Sequence, residues 1–338
     1  MDTFSKLARF FFRTLFQKET QSNSLGEQTS VWKDESDGCD SSDIKDLSLV
    51  QMGIALGLVA VVSAASAWMK LELAQSFGIA CLRTVVQLAL LGVILVPIIA
   101  ADKVYVVLPY LAFMMLIAAQ EATAKMRYYY RGVFLHVYAS FLVGAVTVGA
   151  CAWLLVVRPD PWYSAQYVIP MSGMMLGNAT SAVAVGLGQF LTEMHEGRDR
   201  VEHYLARGAT AWEAARPAFR AALRAGVTPT LNQMSVIGLV SIPGMMTGQL
   251  LGGNDPGAAA KYQMMIMFLI CANSFVVAAA AFLLATRTVF HGAHHQLRAD
   301  RVLRREGKKQ DLLVRNAAAL WGWARAAPGA ARRLAATL

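Results

Sequence analysis

Seven long windows of this chain contain almost no charged residues, and they constrain its fold more than any other feature. The windows are 47–69, 84–101, 104–120, 133–157, 167–192, 230–251 and 262–286. Each can cross a hydrocarbon core of about 30 Å as an α-helix, which rises about 1.5 Å per residue. Because 56% of the 338 residues are hydrophobic and only 16% are charged, the chain has too little polar surface for a soluble protein. We predict an all-α polytopic membrane protein with about seven transmembrane helices.

The connections between the windows alternate in their content of Lys and Arg, which predicts an orientation. The odd connections and the segment after the last window hold most of these residues, whereas the even connections hold one each: Lys103, Arg158 and Lys261. Positively charged loops stay in the cytoplasm. The odd connections and the C-terminus are therefore predicted to be cytoplasmic, with the N-terminus outside. The net charge of +9 follows from this asymmetry and does not indicate nucleic-acid binding.

Composition divides the chain into three parts. Residues 1–46 are predicted to be an N-terminal extension that is disordered, interfacial or used for targeting, and residues 47–290 form the transmembrane domain. Residues 291–338 are a basic cytoplasmic tail. Its His291, His294 and His295 would lie together on a helix, but they favour an ordinary interfacial run over a metal site. The four cysteines are scattered and indicate neither a disulfide framework nor a thiolate site.

The fifth connection, residues 193–228, is too polar for the membrane and rich in helix-forming residues. We predict two or three short helices in this cytoplasmic loop, with Pro217 beginning or bending one of them and Pro229 opening the next span. The predicted breaks are at Gly197, Gly208 and Gly226.

Two near-repeats place helix-weakening residues inside apolar windows: PMSGMMLGN at 170–178 and IPGMMTGQ at 242–249. Each combines a proline, two glycines one helical turn apart and a side-chain amide. Such glycines let helices approach closely, a proline frees backbone carbonyls, and an amide in lipid needs a partner. A translocation path or tight helix packing is therefore predicted at Pro170, Gly173, Met174, Gly177, Asn178, Asn232, Pro243, Gly244, Met245, Met246, Gly248, Gln249 and Gln263.

Methionines concentrate in the last three windows. A thioether suits a soft ion such as Cu(I), but methionine also fills irregular gaps and repacks as helices move. Adaptable packing is favoured over direct contact with an ion.

Several motifs together resemble a known family. They are LRTVVQLALLG at 82–92, VIPMSGMMLGN at 168–178, LARGAT at 205–210, IGLVSIPGMMTG at 237–248 and KYQMMIMF at 261–268. From about residue 49 to 296 the chain resembles UPF0014, the family of bacterial iron-export permeases and plant aluminium-sensitivity permeases of ABC transporters. The resemblance implies a permease subunit that is not itself an enzyme, forms a homodimer and works with a separate ATP-binding subunit.

The spacing of Glu202 and Gly208 resembles the coupling loop of ABC permeases, although the sequence departs from the importer pattern after the glycine. The resemblance implies contact with the ATPase through Glu202, Leu205, Gly208, Ala209 and Thr210. The sequence has no G-x-x-x-x-G-K-[ST] loop to hold a nucleotide's phosphates. ATP-Mg is therefore expected on the partner chain, and no cofactor is expected on this one.

The substrate stays open. Export of an iron-like metal or of a metal-tolerance-related substrate is favoured, because the windows have almost no cations to hold a nucleotide sugar. UDP-glucose transport in aluminium tolerance is the alternative. An ion-driven secondary transporter is a second alternative, but it would favour paired carboxylates inside the windows, and none occurs there. An intramembrane enzyme would need a motif such as G-x-S-x-G or H-E-x-x-H, which the sequence lacks.

Overall fold

A computed structural model describes residues 49–70, 74–290 and 301–304. Residues 1–46 and the histidines His291, His294 and His295 lie outside this part. The helices are α1 (Leu49–Trp68), α2 (Ala74–Ala101), α3 (Val104–Ala124), α4 (Val133–Gly144), α5 (Ala165–Glu196), α6 (Arg198–Ala206), α7 (Ala211–Val236), α8 (Gly244–Leu251) and α9 (Pro256–Val289). After α4 the helix continues as two π-helical segments, Ala145–Gly149 and Ala152–Val157. Two strands, β1 (Tyr128–Tyr129) and β2 (Leu303–Arg304), complete the described elements.

Five helices of the described part are long and apolar enough to cross a membrane. They are Phe77–Ala101, Val104–Ala124, Val133–Val157, Ala165–Glu196 and Pro256–Val289. They correspond to the second, third, fourth, fifth and seventh windows, so the predicted all-α polytopic class is confirmed. The first window forms α1, in which Gly53–Trp68 is a shorter apolar helix.

The predicted sixth span, 230–251, is not a single helix. α7 ends at Val236 and α8 begins at Gly244, and residues 237–243 between them are not helical. Gly238 adopts φ +81°, a left-handed conformation that glycine tolerates at little cost, and its N–H donates to the Ser241 carbonyl at 2.9 Å. We call residues 237–243 the break.

The predicted interruption at Gly226 is also wrong, because α7 runs through it. Pro229, which was expected to open the next span, likewise lies inside α7. Gly226 instead allows α7 to approach α5: a Cβ on it would lie 2.5 Å from the Ala182 carbonyl oxygen. The other two predicted interruptions are present, since Gly197 separates α5 from α6 and Gly208 adopts φ +86° in the turn after α6.

The core lies where α5 packs against α3, α7 and α9, with α4 against α9. Phe190 and Phe282 stack at its centre with ring centroids 6.2 Å apart, and Phe219 meets Phe282 edge-on at 5.8 Å. In contrast, none of the most apolar stretch of α2 is buried. A helix that is apolar all round and exposed is suited to lipid.

Alternate connections lie at the same end of the bundle. β1, just after α3, pairs with β2 beyond α9, and the Tyr128 hydroxyl donates to Glu196 at the end of α5. We call this the α6 end. At the opposite end, Asp102 between α2 and α3 accepts a 2.7 Å hydrogen bond from the Ala165 N–H at the start of α5. This grouping is the one that the charge alternation predicts, while the orientation in a bilayer stays a prediction.

Candidate functional site

Three helices meet at Asn273 near the middle of the bundle. Its Nδ2 donates to the Met175 carbonyl at 3.1 Å, joining α9 to α5. Its Oδ1 faces Gly144, where a Cβ would lie 2.6 Å from that oxygen. Asn273 is only 3% exposed, and a buried amide is costly unless it is paired. Gly144, Met175 and Asn273 therefore mark one level of the bundle, which is the middle of the 25-residue span Val133–Val157.

A small cavity of about 40 Å³ lies beside this contact, where α4 gives way to π-helical turns. Its lining is Leu111, Met115, Ala145, Gly149, Trp153, Ser172, Met175, Leu176 and Asn273. The buried indole N–H of Trp153 has no partner within the described residues. The volume admits one or a few waters, so the cavity as it stands has no room for a nucleotide sugar. Sequence analysis missed this region, although π-helical turns are frequent at functional sites.

A methionine-rich cluster lies next to the cavity. Its buried members are Ala152, Met171, Met175, Ile266, Met267, Leu269 and Ile270, and Met174, Met234, Ile237, Met245 and Met265 are among those packed against them. The fold thus brings methionines of both near-repeats into one cluster. Within residues 49–70, 74–290 and 301–304, no group of three or more His, Cys, Asp or Glu side chains could hold a metal.

The break lies close to the level of Asn273. Gly226 on α7 lies against Ala182, and Gly186 on α5 lies against the Ala222 carbonyl, where its Cβ would approach to 2.8 Å. This antiparallel register places Val236, the end of α7, opposite residue 172, about 5 Å from the Met175 level at 1.5 Å per residue. Ile237, the first residue of the break, and Met245, just after the break, pack against the methionine cluster. The sixth window is therefore interrupted well inside the bundle.

The break is exposed in the single chain. Leu239, Val240 and Ile242 are 91%, 82% and 64% exposed. A Cβ on Gly244 or Gly248 would meet no described atom within 4 Å. The exposed face at the break therefore combines large apolar side chains with the open surface at Gly244 and Gly248.

The other predicted path residues differ in their surroundings. A Cβ on Gly177 would also meet nothing within 4 Å in the described structure, whereas one on Gly173 would meet the end of Met114 at 3.4 Å. Asn178 donates to the Met174 carbonyl in its own helix at 3.0 Å. Pro170 and Asn232 are exposed, Pro243 precedes α8 and Met246 is half-buried. Among the described residues, the glycines that lie tightly against a neighbouring helix are instead Gly144, Gly186 and Gly226.

Two amides near the break have unpaired acceptors. The Oε1 atoms of Gln249 on α8 and Gln263 on α9 are buried and have no hydrogen-bond partner in the part of the chain described. Gln263 is 7% exposed, and α8 packs against α9. Buried amides without partners at membrane depth mark either contacts between helices or a transport route.

The predicted ATPase contact forms a short helix and a turn at the α6 end. We call residues 202–210 the coupling segment. Glu202 pairs with Arg198 at 2.5 Å, and Leu205 packs partly against the core. Gly208 and Thr210 are exposed, whereas Ala209 is half-buried.

A capping box begins α7 directly after this segment. The Thr210 hydroxyl accepts from the Glu213 N–H, while the Glu213 carboxylate accepts from the Thr210 N–H at 2.8 Å. The Thr210 N–H and the Thr210 hydroxyl both donate to this carboxylate, and these two hydrogen bonds lower the pKa of Glu213. The T-x-x-E signal for this cap is present in the sequence, but sequence analysis did not use it.

A bundle with five helices suited to a bilayer and apolar outer surfaces defines an integral, multi-pass membrane protein. The chain belongs to the uncharacterised protein family UPF0014, whose model matches residues 49–290. The predicted family is thus confirmed.

Three relatives illustrate the range of the family. A UPF0014 membrane protein of Synechocystis sp. is 36% identical over 75% of this chain and 97% of its own length. The Escherichia coli protein named "Probable iron export permease protein FetB" is 30% identical over 73% of this chain and 93% of its own. "Protein ALUMINUM SENSITIVE 3" of Arabidopsis thaliana is 31% identical over 62% and 75%. No solved structure matches the chain.

Proposed function

We propose that this chain is the membrane-spanning permease subunit of an ABC transporter that exports an iron-like metal or a metal-tolerance-related substrate. The observation that carries the proposal is the similarity to the E. coli protein named as a probable iron export permease, which extends over 93% of that protein. ATP-Mg would be bound and hydrolysed by a separate subunit, and two copies of this chain would form the membrane part.

We count seven crossings in this proposal. Five are the long helices, α1 is the first, and the end of α7 together with α8 makes a discontinuous sixth. The N-terminus then lies outside and the α6 end lies in the cytoplasm, in agreement with the excess of Lys and Arg there.

The translocation path would run along the discontinuous sixth span. Irregular backbone does not face lipid, because its polar groups have no partners there, and it occurs at membrane depth only against protein or water. The break is exposed among the described residues, and we infer that a second copy or an aqueous path covers it. Discontinuous helices of this kind line the substrate sites of many transporters. Asn232, Gln249 and Gln263 would supply neutral oxygen ligands along the route.

The coupling segment would transmit ATP-driven movement. Val201 and Leu205 place one side of α6 against the core formed by α5 and α7, while Ala206 and Gly208 on the outer side are exposed. A partner pressing on that outer side would therefore move α5 and α7, the helices next to the break. This relation ties the proposed ATPase contact to the proposed path.

Neutral ligands favour weak, transient binding of a metal or of a metal complex. The described residues around the break provide amides and thioethers but no carboxylate cluster, and Fe(II) prefers imidazole and carboxylate. UDP-glucose transport, the alternative that the family resemblance implies, is the second candidate.

Cysteine crosslinking tests the proposed contact with the ATPase. In a cysteine-free background, Ala206→Cys and Ala209→Cys should each crosslink to the ATP-binding subunit in the assembled complex. Asp160→Cys, exposed at the opposite end, is the control and should not. Absence of crosslinks from both positions in an intact complex, or equal crosslinking from position 160, would refute the contact.

A further inference from the structure

A short segment of the C-terminal tail folds back onto the α6 end. β2 pairs antiparallel with β1, with Tyr128 opposite Arg304 and Tyr129 opposite Leu303. Val302 is 2% exposed and belongs to the main core. The segment lies beyond residue 290, where the family match ends. It therefore lies outside the region that the family model matches and is nevertheless packed into the main core.

A second contact fixes this segment to the end of α9. The Arg301 guanidinium donates to the Thr288 carbonyl at 3.2 Å, close to the last residue of the helix, Val289. This carbonyl is one of the last four of α9, which have no partner within the helix. The tail therefore provides a hydrogen-bond donor to a terminal carbonyl of α9 and also pairs with β1.

β1 connects the tail to the start of α6. The Tyr128 hydroxyl donates to the Glu196 carboxylate at 2.8 Å, and Arg127 pairs with the same carboxylate at 3.6 Å. The Tyr128 ring also packs on His195, with 4.6 Å between ring centroids. Glu196 is the last residue of α5, and only Gly197 separates it from α6. The position of β1 is therefore coupled to the position of α6.

We propose that residues 301–304 and β1 form a clamp that holds the start of α6, so that the tail positions the coupling segment. The importance of that position for transport rests on the proposed function, whereas the clamp itself does not. A two-residue strand pair is not stable alone. The buried Val302 therefore provides the apolar contact that keeps β2 in place.

Hydrogen exchange of the full-length chain tests the clamp directly. Val302→Asp would put a charge into the core and release the segment, and amide exchange in residues 197–210 should rise roughly tenfold or more through local opening. Leu303→Asp is the matched control, because Leu303 is 44% exposed and the new charge can face water. In this variant the amide exchange of residues 197–210 should stay at the parent level. Equal exchange in the two variants would overturn the proposal.

A disulfide provides a second test that does not depend on tolerating a buried charge. In a cysteine-free background, Tyr129→Cys with Leu303→Cys should form a disulfide under mild oxidation, because these residues face each other in the pair. The displaced pair Tyr129→Cys with Arg301→Cys should not. If the first pair stays reduced, or both pairs close equally, the clamp is refuted.

Measurements of ATPase stimulation separate failure of the clamp from failure of the proposed function. If the parent chain stimulates a partner ATPase, Val302→Asp should lose most of that stimulation and Leu303→Asp should retain it. Full stimulation by Val302→Asp would refute the positioning role. If the parent gives no stimulation, the proposed function fails, and exchange and disulfide formation still decide whether the clamp exists.

Discussion

Gly226 of α7 lies so close to the Ala182 carbonyl of α5 that a Cβ on residue 226 would come within 2.5 Å of that oxygen. Gly186 and the Ala222 carbonyl form the reciprocal contact one turn away. In lipid, where burial of apolar surface does not drive helix association, such close backbone packing holds helices together. The contact also sets the register that places the break near the middle of the bundle.

Gly226→Ala should destabilise the fold, because the new methyl group meets backbone that cannot move without separating the helices. We expect a loss of about 1–3 kcal/mol, the usual cost of overpacking, measured by thermal unfolding in detergent. Gly177→Ala is the control: a Cβ there meets no described atom within 4 Å, so the melting temperature should be unchanged or higher. Equal stability of Gly226→Ala and the parent would contradict this register.

Gly244→Leu and Gly248→Leu should abolish transport while leaving membrane insertion and the melting temperature of the single chain unchanged. The Cβ positions of both glycines lie in open space within the described part, so we expect the leucines to act mainly on a path or on a second copy at this face. Gly92→Leu, on the exposed helix α2, should transport normally. Normal transport by both Gly244→Leu and Gly248→Leu would rule out a path or a contact at this face.

Asn273→Ala should be more destabilising than Asn178→Ala. Asn273 joins α9 to α5 through the Met175 carbonyl, whereas Asn178 bonds only within its own helix. Loss of a buried hydrogen bond together with its packing costs about 1–3 kcal/mol, and unfolding of the two variants side by side measures the difference. A larger loss for Asn178→Ala would show that Asn273 does not connect the helices.

The start of α7 should lose protection in acid. Because hydrogen bonds from Thr210 lower the pKa of Glu213 in the folded chain, the carboxylate stabilises the cap above its unfolded pKa. That stabilisation is lost as the pH falls below the ordinary carboxyl range and through the lowered folded pKa. Amide exchange of residues 210–213, corrected for the intrinsic effect of pH, should therefore rise in this acidic range. In Glu213→Gln the exchange of these amides should no longer change with pH in this way. If the pH dependence stays as in the parent, a group other than Glu213 causes it.

The helices follow from the sequence because a bilayer demands long apolar segments, and five of the seven windows became such helices. Gly226 misled the interpretation because glycine serves both turns and close helix contacts, and one sequence does not distinguish them. The break at Gly238 escaped notice because a turn of apolar residues has the same composition as a span. The β1–β2 pair joins two-residue strands more than 170 residues apart, and no local pattern predicts such a pairing.

The site was only partly accessible from sequence for a similar reason. The second near-repeat indicated Gln249, and Gln263 was predicted together with it; the Oε1 atoms of both are buried without described partners. Asn273 was recognisable as an amide in an apolar window, but its contacts with Met175 and Gly144 depend on the packing of three helices. The π-helical turns beside Trp153 arise from packing and leave no distinct sequence pattern.

Flux in reconstituted vesicles tests directly whether this chain is the permease subunit of an ATP-driven transporter. The chain would be incorporated with and without its ATP-binding subunit, and the movement of Fe²⁺ and of labelled UDP-glucose would be followed with and without ATP. We expect flux, with the metal favoured over the nucleotide sugar, only when the chain, the partner and ATP are all present. Full flux from the chain alone would contradict it.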